Sequence, residues 1–297
     1  MPQQSPALSR IRERIDSIDD RLLELLMERA AIMDEVTAAK KVAAEEGGET
    51  AKAVPPAIIR PAREAEVLRR LLGRDTGNVP KFTVFALWRE IISSFSTLQG
   101  PFSIVTYDDR ADGGLGNSAR DHFGATVPVR AANSAVAAIR AVSEARASAA
   151  VLPVPQEGEA SPWWPLLFTS EPGAPRIIAR VPFLRAPANG GRPRADGFVV
   201  SLAPAEASGS DRTLLGIELV GDLSRSRLKD TMIKAGLRPQ NFLASFGESE
   251  GGVAIQLVEA DGFVAGNDAR LKDAISHAGG AVDRILVIGN YPVPFQP

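Results

Sequence analysis

The chain has 297 residues, 44% of them hydrophobic and 24% charged, with 34 Lys and Arg against 36 Asp and Glu. That length suffices for two or three domains with their own cores and excludes disordered and fibrous classes. The near-zero net charge argues against a protein built to grip phosphate backbones or anionic membranes, so no nucleic-acid or membrane partner is expected. With no cysteine and two histidines, His122 and His277, there is no disulfide framework and no zinc cluster, and neither metal nor cofactor is expected. The first residues carry charge throughout, and no apolar run approaches the ~20 residues of a membrane span. A soluble cytoplasmic protein is the expectation.

Only five of 26 Gly and six of 22 Pro lie at or before Gly100, which marks the N-terminal third as helical. Leu8, Ile15, Leu22 and Val36 fall on a seven-residue grid, with Ile11, Ile18, Leu25 and Ile32 on its partner. This stripe predicts one long helix from Ser5 or Ser9 to about Glu45, too long for one small helical domain to cover. EEGGETAKAVPP breaks it, a second helix follows with Pro61 in its first turn, and Gly73 ends that one. A third helix starts after Pro80, with Val84, Trp88, Ile91, Ile92, Phe95 and Leu98 expected on its apolar face, and Gly100-Pro101 closes the unit. Three helices of unequal length, the first overlong, suggest an intertwined dimer.

Beyond Pro101 strand-length runs alternate with helical stretches: FSIVTY, NSAVAAIRAVSEAR, ASAAVLPV and ADGFVVSLAP. Gly158 to Pro193 is rich in Pro, Gly and Trp and reads as loops with short strands. GLGNSA at Gly114 to Ala119 fits neither a dinucleotide nor a P-loop spacing. From Arg212 the order is strand, helix, strand, strand, helix, strand, the βαββαβ ferredoxin-like unit. Asp222 or Ser224 and Asn267 read as helix N-caps, and Gly236 and Gly279 as helix stops. The fold class is therefore multi-domain: a helical unit at 1–100, an α/β segment at 101–208 and a βαββαβ domain at 209–297.

Several residues sit oddly on these stripes. Arg29 occupies an otherwise apolar grid position, and Lys40, eleven residues on, lies about 20° away around the helix at ~100° per residue. Two cations on one side of a helix repel unless an anion lies between them, although snorkelling or pairing with Asp34 or Glu35 also accommodates them. The second helix supplies Arg63 and Glu64, the third ends with Gln99, and Arg12 lies near the chain start. Together these residues outline a polar pocket in an apolar bundle, suited to a small dicarboxylate.

LSRIRERIDSIDDRLLELLMERAAIMDEVTAAKK, then RPARE, then LWREIISSFSTLQG, closely resembles the all-helical class of chorismate mutase over residues 8 to 99. The resemblance implies an intertwined helical homodimer that converts chorismate to prephenate without a cofactor. It implies that Arg12, reaching from the other subunit, and Arg29 hold the substrate carboxylates, and that Lys40 and Gln99 donate to the ether oxygen. Arg63 and Glu64 match the motif that receives the ring hydroxyl, with Glu64 as acceptor. Such a pericyclic reaction needs a held conformer and a stabilised departing oxygen, neither nucleophile nor metal. Two departures, Arg60 for an acid and Phe95 for a hydroxyl, predict a weakened pocket that still functions.

The domain order is similar to the bifunctional chorismate mutase–prephenate dehydratases. RILVIGNYPVPF resembles the close of their ACT domain, and AVLPVPQEGE one of their inner stretches. Their Thr-Arg-Phe motif is replaced in RADGFVVSL by Asp196, Gly197 and Phe198, which implies a degenerate dehydratase-like segment that has lost dehydration. Asp196 itself reads as a turn residue. The ACT-like unit implies an aromatic amino-acid effector or, since the family's ligand motifs are not recognisable, a structural role. The reading is thus a chorismate mutase. Its rivals are a bifunctional mutase/dehydratase, a non-catalytic chorismate-binding sensor, and pyruvate elimination from isochorismate in the same helical fold.

Overall fold

The computed structural model describes residues 6–46, 58–108, 113–185, 192–221, 223–247 and 253–296. The chain divides into two compact units, residues 1–57 and 58–297. The first is α1 (Pro6–Glu46), a single helix of 41 residues, about 60 Å long at ~1.5 Å per residue. Pro6 opens it, where a missing N–H costs nothing. From Leu8 to Ile32 its apolar grid stays half exposed, from 48% at Ile32 to 59% at Leu25. Ser5 and the EEGGETAKAVPP break lie outside the described residues.

In the second unit, α2 (Pro61–Leu72) begins with Pro61 and is capped by Gly73. The next helix, α3 (Lys81–Thr97), buries Phe85, Arg89, Ser93 and Ser96. This corrects the face expected from the sequence: Leu98 is 67% exposed, and Val84, Trp88, Ile91, Ile92 and Phe95 are half-buried. The reason lies in what α3 meets. It runs against the end of α4 (Gly114–Phe123) at Gly124, where the Ser93 Cβ would lie 3.2 Å from any added Cβ. A short side chain is required there, and the carbonyls ending α4 attract a cation. Ala65, Leu68, Leu72 and Phe85 then share a core with Phe183 and Leu184, so α2 and α3 pack as part of the sheet unit.

The remaining elements are β1 (Ile104–Thr106), β2 (Val129–Ala131), α5 (Ala135–Ser143), β3 (Ala149–Pro153), β4 (Arg176–Val181) and β5 (Gly197–Ser201), then β6 (Asp211–Val220), α6 (Arg225–Lys234), β7 (Pro239–Gly247), β8 (Val253–Asp261), α7 (Ala269–His277) and β9 (Val282–Pro292). GLGNSA opens α4, with the Leu115 N–H donating to Asp108 Oδ2 at 2.8 Å. The expected βαββαβ unit is β6 to β9. Ser224 caps α6 and Asp268, rather than Asn267, caps α7; Asp222 lies outside the described residues. Gly236 and Gly279 follow the helix ends at φ 79° and 60°, left-handed conformations that glycine adopts without strain.

All nine strands form one sheet in the order β2-β1-β3-β5-β4-β9-β6-β8-β7. Strands β2, β1 and β3 pair in parallel, and β9, β6, β8 and β7 are antiparallel. Leu228, Met232, Leu271 and Ala274 of α6 and α7 cover Leu215, Ile217 and Val258 of the latter group. On the α/β side, Trp163 and Trp164 sit in the core with Phe198 and Tyr291. The two halves meet at a seam where β4 pairs with β9 through Ile177 and Gly289. A Cβ on Gly289 would stand 2.4 Å from Ile177 Cβ, so the strands approach this closely only over a glycine.

Candidate active site

The first turn of α2 separates the adjacent Arg63 and Glu64. Arg63 faces solvent and donates to Glu66 Oε2 at 3.1 Å, both side chains being well exposed; a pair of this kind contributes roughly 0–1 kcal/mol. Glu64 turns inward and accepts from Arg89 Nη1 at 2.7 Å, the Arg89 side chain being only 2% exposed. Arg89 also donates through Nε to the His122 carbonyl. A guanidinium held on both sides fixes the Glu64 carboxylate in one orientation. Glu64, Arg89, His122, Arg180 and Phe183 enclose a cavity of about 10 Å³, room for one water.

His122 is buried, with its Nδ1 unpartnered among the described residues. Burial first, and then the neighbouring Arg89 charge, push its pKa well below the usual imidazole range. The ring is therefore neutral near pH 7. Arg89 and His122 escaped the sequence reading because Arg89, beside Glu90, reads as part of the solvent side of α3. The only available signal was the four-residue spacing Phe85, Arg89, Ser93.

Gln99 lies two residues past the end of α3, half-buried, with its Nε2 3.4 Å from the Phe95 carbonyl. Arg60, one of the two departures, pairs with Glu206 at 3.0 Å on the surface, and Phe95, the other, is half-buried. On α1, Arg12 is exposed and Arg29 half-buried, and burial lowers the Arg29 pKa. Lys40 belongs to α1, and its side chain lies outside the described residues. The structure thus brings Glu64 together with Arg89 and leaves Arg63 at the surface, while Arg12, Arg29 and Lys40 share one helix.

The dehydratase-like position is also defined. Asp196 is not a plain turn residue: its Oδ2 accepts from Arg185 at 2.8 Å and from Arg180 at 3.4 Å. Phe198 is buried beside Tyr291, with ring centroids 5.4 Å apart. A Cβ on Gly197 would lie 2.4 Å from Leu115 Cδ1 and 2.7 Å from the Leu152 carbonyl, so nothing larger fits without moving backbone.

No group of three or more His, Cys, Asp or Glu able to hold a metal occurs among the described residues. None of the described helices is long and apolar enough to cross a membrane. What the geometry provides is an oriented carboxylate acceptor beside a buried guanidinium.

The fold is a helical N-terminal region followed by a mixed α/β sheet that ends in a ferredoxin-like unit. Residues 11–100 match the family of chorismate mutase type II. The bifunctional chorismate mutase/prephenate dehydratase of Pseudomonas aeruginosa is 37% identical over 98 residues, 33% of this chain and 25% of that protein. The chain thus aligns with about a quarter of the length of this relative. Among solved structures, the quorum-quenching acylase GqqA is 17% identical with a TM-score of 0.46, covering 64% of this chain and 94% of its own. A prephenate dehydratase from Streptococcus mutans is 11% identical with a TM-score of 0.42, covering 64% and 97%.

Proposed function

We propose that this protein is a chorismate mutase that rearranges chorismate to prephenate without a cofactor. The observation that carries the reading is the chorismate mutase type II match over residues 11–100, which spans every residue assigned a role. In this reading Arg12 and Arg29 clamp the two substrate carboxylates by charge-assisted pairs. Lys40 and Gln99 stabilise the negative charge that develops on the ether oxygen as the C–O bond breaks. Glu64, oriented by Arg89, accepts from the ring hydroxyl, and Arg63 completes that end of the site. The mutase domain spans 1–100, the degenerate dehydratase-like segment 101–208, and the ACT-like domain 209–297.

The protein acts as a homodimer through its N-terminal helices. The half-exposed stripe on α1 supports this, because a contiguous apolar face of that length is ordinarily buried by a partner. The half-buried apolar face of α3 supports it too. An aromatic amino-acid effector acting through the ACT-like domain belongs to the same reading, as does a soluble, cytoplasmic protein. A dehydratase activity is disfavoured: where the motif calls for arginine, Gly197 has no room for a side chain.

Mixed dimers test the site and the dimer together. Arg12→Ala and Lys40→Ala should each lose ~10²-fold or more in turnover. Mixed in equal amounts, they should recover about a quarter of wild-type turnover, because half the dimers are mixed and one site in each is intact. Full activity of either single variant contradicts the assignment.

A further inference from the structure

The seam between the two halves of the sheet has a cavity of about 400 Å³ on one side. It is built from four separate stretches. Thr169 and Ser170 precede β4 and Arg176 opens it, Ala205 comes from the β5–β6 connection, Gly266 from the β8–α7 connection, and Leu286, Val287 and Asn290 from β9 around the Ile177–Gly289 pair. A volume of this size is within the range of small-molecule sites.

Among the described residues, Arg176 is the one charged member of its lining. Its Nη1 donates to the carbonyls of Leu167 (3.1 Å) and Pro175 (3.3 Å), and its Nη2 to the carbonyl of Thr169 (2.7 Å). Those three bonds fix the guanidinium and leave Nε–H and one Nη2 N–H over. No carboxylate lies within ion-pair distance among the described residues, and burial alone lowers its pKa. A half-buried guanidinium without a counter-charge is an expensive arrangement for a structural brace.

The other polar groups of the wall are two hydroxyls and an amide. The Asn290 side chain, 7% exposed, has its Oδ1 2.6 Å from Thr213 Oγ1, which leaves the amide nitrogen. Thr169 Oγ1 accepts from the Glu171 N–H at 3.1 Å and keeps its own proton for donation. Donors therefore outnumber acceptors, and Leu286 and Val287 supply an apolar side. We propose that this cavity binds a small organic carboxylate with an apolar body, held by a fork from Arg176 with Thr169, Ser170 and Asn290 as further donors.

The absence of an acidic side chain among the described residues of the wall separates ligand classes. An α-amino acid brings an ammonium group that would find no carboxylate here, whereas a plain or 2-oxo carboxylate leaves nothing unpaired. Phosphate carries more charge than one arginine balances, and it has nothing to place against Leu286 and Val287. A bound carboxylate would join the α/β side to the ferredoxin-like side across a single strand pair, and so tie together the two halves of the sheet.

The test is titration of the full chain by calorimetry with 3-phenylpropionate, L-phenylalanine and inorganic phosphate. The expected result is saturable binding of 3-phenylpropionate, with phenylalanine and phosphate at least about tenfold weaker. Arg176→Met should weaken the carboxylate by about tenfold or more. Because Arg176 also braces three carbonyls, Ala205→Leu and Ser170→Ala serve as variants that leave that brace intact. The first should block binding by filling the cavity, and the second should weaken it several-fold. Binding that neither Arg176→Met nor Ala205→Leu alters would overturn the proposal, as would no binding of the carboxylate, or tighter Arg176-dependent binding of phenylalanine or phosphate.

Discussion

Arg89→Met removes the guanidinium that holds Glu64 and replaces it with an apolar side chain of similar length. In the wild type Arg89 is 2% exposed and Glu64 14%, at 2.7 Å from each other. Breaking a buried pair from one side strands the remaining charge, at a cost of ~3–5 kcal/mol. The small exposure of Glu64 lowers that figure, while the His122 carbonyl loses its charged donor and raises it by ~1–3 kcal/mol. A net loss of about 3–5 kcal/mol follows, and for a unit of this size each kcal/mol lowers Tm by roughly 2–4 °C. Thermal unfolding followed by circular dichroism should thus drop by ~6–20 °C. Adding Glu64→Gln removes the stranded charge, so the double variant should be more stable than the sum of the singles predicts, with a coupling of about 2 kcal/mol. A Tm change under about 2 °C for Arg89→Met, or strict additivity, would refute the argument that this pair orients Glu64.

The buried His122 gives a pH dependence of definite sign. Its folded pKa lies well below its unfolded value of ~6.5, so its contribution is fully present above that pH and is lost as pH falls toward the folded pKa, by at most ~1.4 kcal/mol per pH unit. Urea unfolding of wild type against His122→Gln from pH 7.5 to 5 (about the range below ~6.5 that matters) should show a steeper acid loss in the wild type; parallel curves would contradict it. Gly197→Ala should destabilise by ~1–3 kcal/mol, because its Cβ meets Leu115 and the Leu152 carbonyl; an unchanged denaturation midpoint would show that the site has room after all. Arg29→Ala should chiefly weaken chorismate binding, and an unchanged KM would remove Arg29 from the carboxylate clamp.

Much of the fold is legible in the residues because local chemistry and global packing agree. The seven-residue grid of α1, the Pro61 and Gly73 bounds of α2, and the β6–β9 order each follow from period and punctuation. Ser224, Gly236 and Gly279 sit at helix ends for the same reason. The misses share a cause, which is tertiary contact overriding local pattern. The face of α3 is set by the end of α4 at Gly124, which needs Ser93 and attracts Arg89, and no periodicity of α3 carries that information. Asp268 takes the cap of α7 from its neighbour Asn267, a one-residue choice that local composition does not resolve. β4 is one of the short strands expected between Gly158 and Pro193, but its pairing with β9 through Gly289 joins residues far apart in sequence and was not legible.

The candidate site was legible as a set of residue types rather than as geometry. Glu64 stood out as the acid of the RPARE motif, but its partner Arg89 did not, since its role depends on a contact across two helices. Asp196 read as a turn, whereas its ion pairs with Arg180 and Arg185 come from the neighbouring strand and the segment after it. The cavity at the seam left no trace in the sequence, because its walls come from four stretches that meet only in the folded unit.

The most direct test is to follow chorismate consumption by the purified full-length chain, resolving prephenate from phenylpyruvate. Prephenate should accumulate as the sole product, at a rate that Lys40→Ala depresses by ~10²-fold or more. Phenylpyruvate formed without acid treatment would contradict the loss of dehydration at Gly197, and no consumption of chorismate would contradict the mutase assignment itself.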